Sequence, residues 1–366
     1  MLNEKFLTDK LQIRVDGNAL RTLQVSEGKV DFCSNDYLGI ATNHLLHPDP
    51  AFKHGSGGSR LLSGNYPLIE EVEIELATFY RSQASLIFNS GYDANMGLLS
   101  CVPQRGDVIF YDKLIHASIR DGIKLSHAQA YAYQHNDLND LEHKLRAQNI
   151  TEGKNIFVLT ESVFSMDGDM APLAELSILC EQIGALLIVD EAHATGVVGE
   201  HGEGLVQYLK LENKVFARIH TFGKGCGCHG AVVLGSTNLR SYLINFSRAF
   251  IYTTSLPETA IAAIQISHRI FPGMHEERAH LASLITLFQN ADHSFHVLRS
   301  HTAIQVMIIP GNDVVKAFAF KLQSKGYDIR AILYPTVPKG AERLRIVLHS
   351  FNTADQVTAL IQLLKG

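Results

Sequence analysis

Lys224 lies in Thr221-Phe222-Gly223-Lys224-Gly225, 34 residues after Asp190 in Asp190-Glu191-Ala192-His193. A lysine amine condenses with a carbonyl to a Schiff base, and glycine neighbours let backbone crowd a flat ring beside it. A carboxylate at a strand end can keep a ring nitrogen protonated, so that the ring accepts electrons. Together these groups are what a pyridoxal 5'-phosphate enzyme needs. Most lysines are solvated surface charges, so the weight of this reading falls on the neighbours.

Two rival motifs overlap the same residues. Leu187-Ile188-Val189-Asp190-Glu191-Ala192-His193 resembles the second motif of a DEAH-box helicase, but no upstream G-x-x-x-x-G-K-[ST] loop accompanies it. Gly225-x-Gly227-x-x-Gly230 matches the dinucleotide fingerprint, which requires a strand before it and a helix after it. Here Ala231-Val232-Val233-Leu234-Gly235 follows and reads as a strand, so a nicotinamide site is excluded.

Other segments offer partners for Lys224. Ser90-Gly91-Tyr92 opens a predicted helix, whose N-terminus is an anion site. Thr221 offers a hydroxyl suited to a phosphate oxygen. His116 could stack on a ring, and Ser162 could bond a phenolic oxygen, although each alone would be an ordinary polar residue. Arg343-Leu344-Arg345 puts two guanidiniums on one strand face, where an arginine can clamp a carboxylate through two parallel bonds. Gly55-Ser56-Gly57-Gly58-Ser59-Arg60 reads equally as a bare loop.

The elements that position these groups follow from periodicity. Val108–Tyr111, Ile156–Leu159 and Leu186–Val189 are short apolar runs, as in strands covered on both faces. Leu173, Leu176, Leu179, Cys180 and Ile183 form a helical stripe between the last two, and Pro67 to Arg81 carries another. Strand, helix, strand implies a parallel α/β sheet that binds ligands at the carboxyl ends of its strands, where Glu161, Ser162 and Asp190 fall. After Pro272 the pattern changes to a small α+β unit. Its predicted strands are 303–309, 327–333 and 343–349, and its predicted helices 314–325 and 353–364. The first 30 residues read as an extended arm feeding the large domain.

The 366 residues are 46% hydrophobic and 19% charged, with net charge −5. That composition fits a globular chain and gives no basic stripe for nucleic acid. Five scattered cysteines imply reduced thiols, and Cys226-x-Cys228 has no second pair at zinc-ligand spacing, so no metal is expected. No apolar run has the length of a membrane span or a signal peptide. A soluble, cytoplasmic protein is expected.

In order along the chain, Ser34–Gly39, Gly55–Arg60 with Ser63-Gly64, Ser90–Tyr92, His116–Ser118, Ser162–Asp169, Asp190–Gly196, Thr221–Lys224 and Tyr252–Pro257 resemble the α-oxoamine synthases. The resemblance runs from about residue 30 to the end. It implies a fold-type I pyridoxal-phosphate transferase: a mixed, mostly parallel sheet with helices on both faces, plus a small α+β C-terminal domain. The implied division is an arm over 1–30, a large domain over 31–272 and a small domain over 273–366. The implied activity joins an amino acid to an acyl thioester with loss of carbon dioxide. Pro335–Gly340, Arg343–Arg345, Ala303–Gln305 and the Gly55–Arg60 loop are similar to members that condense L-alanine with pimeloyl-CoA or a pimeloyl-acyl-carrier protein. A glycine- or serine-using member is the alternative.

By the same resemblance Lys224 anchors the cofactor and removes the α-proton, and Asp190 pairs with the ring nitrogen. His116 stacks on the ring and meets substrate, while His193 and Ser162 bond its oxygen side. Gly91, Tyr92 and Thr221 contact phosphate or ring edge. Asn35, Thr336 and Arg345 face substrate, with either Arg14 or Arg21 on the acyl group. The family's homodimer implies that Thr254 reaches the neighbouring subunit's phosphate. The segment from Ala41 to His54 is shorter than the family's and rich in His and Pro where a helix is usual.

Overall fold

The computed structural model describes residues 2–25, 27–148 and 153–365. The chain forms two compact units, one of residues 35–165 and 170–278, the other of residues 2–34, 166–169 and 279–365 among those described.

The larger unit is built on a seven-stranded sheet. In spatial order its strands are Ala84–Phe88, Ala231–Gly235, Ala217–Thr221, Leu186–Asp190, Ile156–Glu161, Val108–Asp112 and Gln129–Tyr133. Ala231–Gly235 runs antiparallel to both neighbours, and the remaining pairings are parallel. Alternate residues enter opposite cores. Ile109, Phe157, Leu159, Ile188 and Ile219 pack with Leu98 and Ile119 on one face, whereas Phe110, Val158, Leu187 and Val189 pack with Leu141 and Leu176 on the other. Both faces of the strands Val108–Asp112, Ile156–Glu161 and Leu186–Asp190 are therefore apolar, and these three read as hydrophobic runs. Each such buried side chain contributes about 1.5–3 kcal/mol of transfer free energy.

This arrangement decides where polar residues emerge. Asp112, Glu161, Asp190 and Thr221 are the last residues of four parallel strands and leave the sheet at one end. The glycines after Thr221 lie in a hairpin, not a strand-to-helix turn. The Phe222 N–H donates to the Gly230 carbonyl at 2.9 Å and the Cys228 N–H to the Phe222 carbonyl at 2.9 Å. At φ +60° Gly227 packs against Ile40, whose Cβ would lie 2.6 Å from an added methyl.

A buried charge cluster ties this unit together. Glu73, 3% exposed on the helix Pro67–Phe79, accepts from Arg60 Nη1 at 2.8 Å, Arg240 Nη2 at 2.7 Å and the Ile87 N–H at 2.9 Å. The Gly55–Arg60 loop is packed rather than open. Its Gly58 carbonyl accepts from the Ser255 N–H at 2.9 Å, and Ser56 Oγ donates to the Ser255 carbonyl at 2.8 Å. Residues 41–54 form turns and coil.

The smaller unit has an antiparallel sheet ordered Arg330–Ile332, Arg343–Val347, Ile304–Ile308, with helices Asn312–Ser324 and Ala354–Leu364. The expected single strand over 327–333 is two, because the chain changes partners at the buried Ile329. Tyr327–Asp328 pairs in parallel with Val30–Asp31, and Arg330–Ile332 pairs with Arg343–Val347. The arm is not simply extended either. Lys5–Asp16 is a helix with no buried residue, supported by Lys5–Asp9 at 2.8 Å and Gln12–Asp16 at 2.7 Å. Those first residues belong to the smaller unit, which also takes up Met166–Asp169, and the chain crosses between units within the helix His275–Gln289.

Replacing Glu73 with Ala leaves Arg60 buried against fewer acceptors and orphans the Ile87 N–H. The variant is expected to lose about 3 kcal/mol or more of unfolding free energy in denaturant titration. A loss under 1 kcal/mol would show that the cluster does not hold this helix to the sheet.

Candidate active site

A cavity of about 200 Å³ opens at the carboxyl end of the large sheet. Its wall includes Gly91, Tyr92, His116, Asp190, His193, Thr221 and Lys224. Seven residues chosen from motifs spread over 130 positions thus meet in one place, each delivered by a strand end or the loop after it.

Asp190 is 5% exposed, and both of its carboxylate oxygens are held. Oδ1 accepts from the Ala192 N–H at 2.9 Å, and Oδ2 accepts from Asn95 Nδ2 at 2.7 Å. Lys224 Nζ lies 3.4 Å from Thr221 Oγ1. The Tyr37 hydroxyl is 2.6 Å from His193 Nδ1 and 3.3 Å from Asn35 Oδ1, so the Ser34–Gly39 segment reaches the site through Tyr37.

The helix Gly91–Leu99 points its N-terminus at this cavity. Ser90 caps it, accepting from the Asp93 N–H at 3.1 Å, while the first N–H groups of any helix lack intrahelical acceptors. A methyl on Gly91 would lie 2.4 Å from Thr221 Cγ2, so the helix start and the Thr221 hydroxyl form one cradle. Tyr92, 43% exposed, donates its hydroxyl to Asp121 at 2.6 Å.

His116 caps the helix Ala117–Leu125 with its own ring. Its Nδ1 accepts from the Ser118 N–H at 3.2 Å and lies 2.7 Å from Ser118 Oγ. Its backbone N–H donates to Glu161 Oε1. Desolvation lowers the His116 pKa; the Asp190 carboxylate opposes this, Lys224 lowers it further and Asp121 opposes it. Burial drives the Glu161 carboxyl well above its ordinary value, and the neighbouring Asp190 charge adds to the rise.

Four of these groups were not assigned from sequence: Asn95, Ser118, Glu161 and Tyr37. Asn95 lies four residues after Gly91, one helical turn along the same face, which is the signal that could have found it. Ser162 requires correction. It is fully buried and absent from the cavity wall, and its Oγ donates to the Asp190 carbonyl at 3.3 Å. It is the first residue beyond the strand Ile156–Glu161. Glu161 takes the cavity side. Thr254 is exposed and lines a different surface depression with Leu61, Leu62 and Tyr252.

The substrate candidates of the smaller unit stand as follows. Arg21 Nη2 donates to Thr336 Oγ1 at 3.1 Å, and Arg14, Arg21 and Thr336 line a pocket of about 280 Å³. Arg343 and Arg345 part company. Arg343 is buried in an ion pair with Asp167, while Arg345 is half-buried.

The family model for class I and II aminotransferases matches residues 27–364. An 8-amino-7-oxononanoate synthase from Emericella nidulans is 39% identical over 97% of this chain and 93% of its own length. Among solved structures, an 8-amino-7-oxononanoate synthase from Francisella tularensis is 30% identical with a TM-score of 0.77, covering 93% of this chain and 97% of that one. A serine palmitoyltransferase from S. paucimobilis, carrying a pyridoxal phosphate–myriocin aldimine, is 26% identical with a TM-score of 0.89, covering 100% of this chain and 98% of that one. The chain belongs to the class I and II aminotransferase family, in the branch of the 8-amino-7-oxononanoate synthases. Its fold is the family's fold-type I transferase architecture.

The family's cofactor fits this cavity on the structure's own terms. The cradle at Gly91 suits a phosphate, and Asp190 presents a held carboxylate on the wall of the same cavity.

Changing Gly91 to Ala forces Thr221 to turn and takes its hydroxyl from the cradle. Affinity for pyridoxal phosphate is expected to fall roughly tenfold or more with unchanged far-ultraviolet circular dichroism. An unchanged affinity, by fluorescence titration, would mean the phosphate sits elsewhere.

Proposed function

We propose that this protein condenses L-alanine with a pimeloyl thioester, releasing carbon dioxide and forming 8-amino-7-oxononanoate for biotin biosynthesis. The observation that carries the reading is the convergence of Lys224, Asp190, His116 and the Gly91 helix start on one cavity, in a chain 39% identical to a relative of that name.

Pyridoxal 5'-phosphate is the cofactor; it supplies a carbonyl for amine capture and a ring that accepts the electron pair released at the amino acid's α-carbon. Lys224 Nζ anchors that carbonyl and, once displaced by the substrate amine, takes the α-proton. Asp190 holds the ring nitrogen's proton, and the two donors on its oxygens keep it oriented. The helix start and Thr221 receive the phosphate. His193, steadied by Tyr37, serves the ring-oxygen side, and His116 covers the ring and polarises the acyl carbonyl. Arg345 clamps the substrate carboxylate, with Asn35, Thr336 and Arg21 as further substrate contacts. No helix among the described residues is long and apolar enough to cross a membrane, and we place the enzyme in the cytoplasm. The working form is a homodimer, in which the exposed Thr254 serves the neighbouring subunit's phosphate site.

The test pairs pimeloyl-CoA and pimeloyl-acyl-carrier protein with L-alanine, glycine and L-serine in turn. Carbon dioxide and 8-amino-7-oxononanoate are expected with alanine only, and Lys224→Ala is expected to lose on the order of a thousandfold or more in kcat/KM. Turnover with glycine or serine but not alanine would overturn the substrate assignment.

A further inference from the structure

The mechanism above gives Ser118 no role and uses Asn95 only as a donor to Asp190. Asn95 is 2% exposed and Ser118 fully buried, and they join the two groups that flank the ring. Asn95 Nδ2 lies 2.7 Å from Asp190 Oδ2 and 3.1 Å from Ser118 Oγ, and Ser118 Oγ lies 2.7 Å from His116 Nδ1. A polar chain thus runs from the carboxylate to the imidazole.

Chemistry fixes the direction of the contacts at both ends of that chain. A carboxylate only accepts, so the end of Asn95 facing Asp190 is its NH₂ group, which carries two hydrogens. One goes to Asp190 and the other to Ser118 Oγ. The serine oxygen therefore accepts from Asn95, and its hydrogen can turn toward His116 Nδ1. The Ser118 backbone N–H, which can only donate, points at the same nitrogen from 3.2 Å. Nδ1 therefore presents a lone pair to that N–H, and the hydroxyl beside it can donate to the same nitrogen.

We propose that Asn95 and Ser118 are positioning residues that hold His116 as the neutral tautomer protonated on Nε2, while fixing the Asp190 carboxylate that serves the ring nitrogen. Protonating Nδ1 would set its hydrogen against the fixed Ser118 backbone N–H and turn the hydroxyl from donor to acceptor, so the relay opposes the imidazolium form. His116 then works as a hydrogen-bond donor through Nε2 rather than as a cationic acid, and a neutral ring covers the electron-accepting cofactor. The charged groups around it are Asp190 and Asp121, which favour a cation, and Lys224, which disfavours one. Glu161 touches its backbone only. The relay adds a directional constraint to this field, in which burial already favours the neutral ring.

The inference rests on the assignment of Asp190 and His116 to the cofactor site. Its test is separable from that assignment. The full chain is labelled with nitrogen-15 histidine, with and without bound cofactor, and the His116 signals among the 18 histidines are identified by their loss in His116→Asn. At neutral pH the wild type is expected to show a proton on Nε2 and none on Nδ1. In Ser118→Ala and Asn95→Leu the His116 titration midpoint is expected to rise by roughly one unit, while Ser118→Thr, which keeps the hydroxyl, retains the wild-type midpoint. A residue needed only for packing would not give that rescue. A wild-type proton on Nδ1, or midpoints unchanged in both variants, overturns the proposal. The wild-type tautomer is decisive even if a variant fails to fold. A chain that binds no pyridoxal phosphate overturns the function above and leaves the tautomer readable in the same sample.

Discussion

A carboxylate buried at the end of a sheet strand must be held by donors or it costs several kcal/mol. Asp190 meets that requirement with the Ala192 N–H on one oxygen and Asn95 on the other. Much of the larger unit follows from this. The strand Leu186–Asp190 is central in the sheet, so the carboxylate emerges between the neighbours that deliver Glu161 and Thr221. The helix Gly91–Leu99 must lie close enough for its fifth residue to reach Asp190, which aims the helix start at the same cavity.

The same logic explains the second acid of the motif. Glu191 is fully buried and accepts from the Leu205 and Val206 N–H groups at 2.9 and 2.7 Å. It fastens the following loop, while Asp190 faces the cavity. Neighbouring acids take structural and chemical roles because strand residues alternate in direction.

That alternation also marks where sequence reading succeeds. Three neighbouring strands of the large sheet were legible because both faces are buried, leaving apolar runs such as Leu186–Val189, whereas Gln129–Tyr133 at the exposed edge and Ala217–Thr221, with its Arg and His, gave no such run. The helix opening at Ser90 and the strand Ala231–Gly235 were legible as well, but not the hairpin that joins Thr221 to Ala231. The loop residue Ser162 was not. Its chemistry suited a ring oxygen, but the choice between cavity and core depends on a backbone direction that composition does not carry. The change of strand partner at Ile329 was hidden likewise, since pairing is tertiary. Ser118 stood inside the His116–Ser118 motif and Asn95 three residues beyond Tyr92, yet the contact between them lies in a distance between two helices, Gly91–Leu99 and Ala117–Leu125, that no local pattern encodes.

The whole account depends on Lys224 being the residue that joins the cofactor. Reduction of the protein–cofactor complex with borohydride, followed by proteolysis and mass spectrometry, fixes the lysine through a stable secondary amine. The account predicts a single pyridoxyl-modified peptide containing Lys224. Modification at another lysine, or no stoichiometric modification at all, would contradict it.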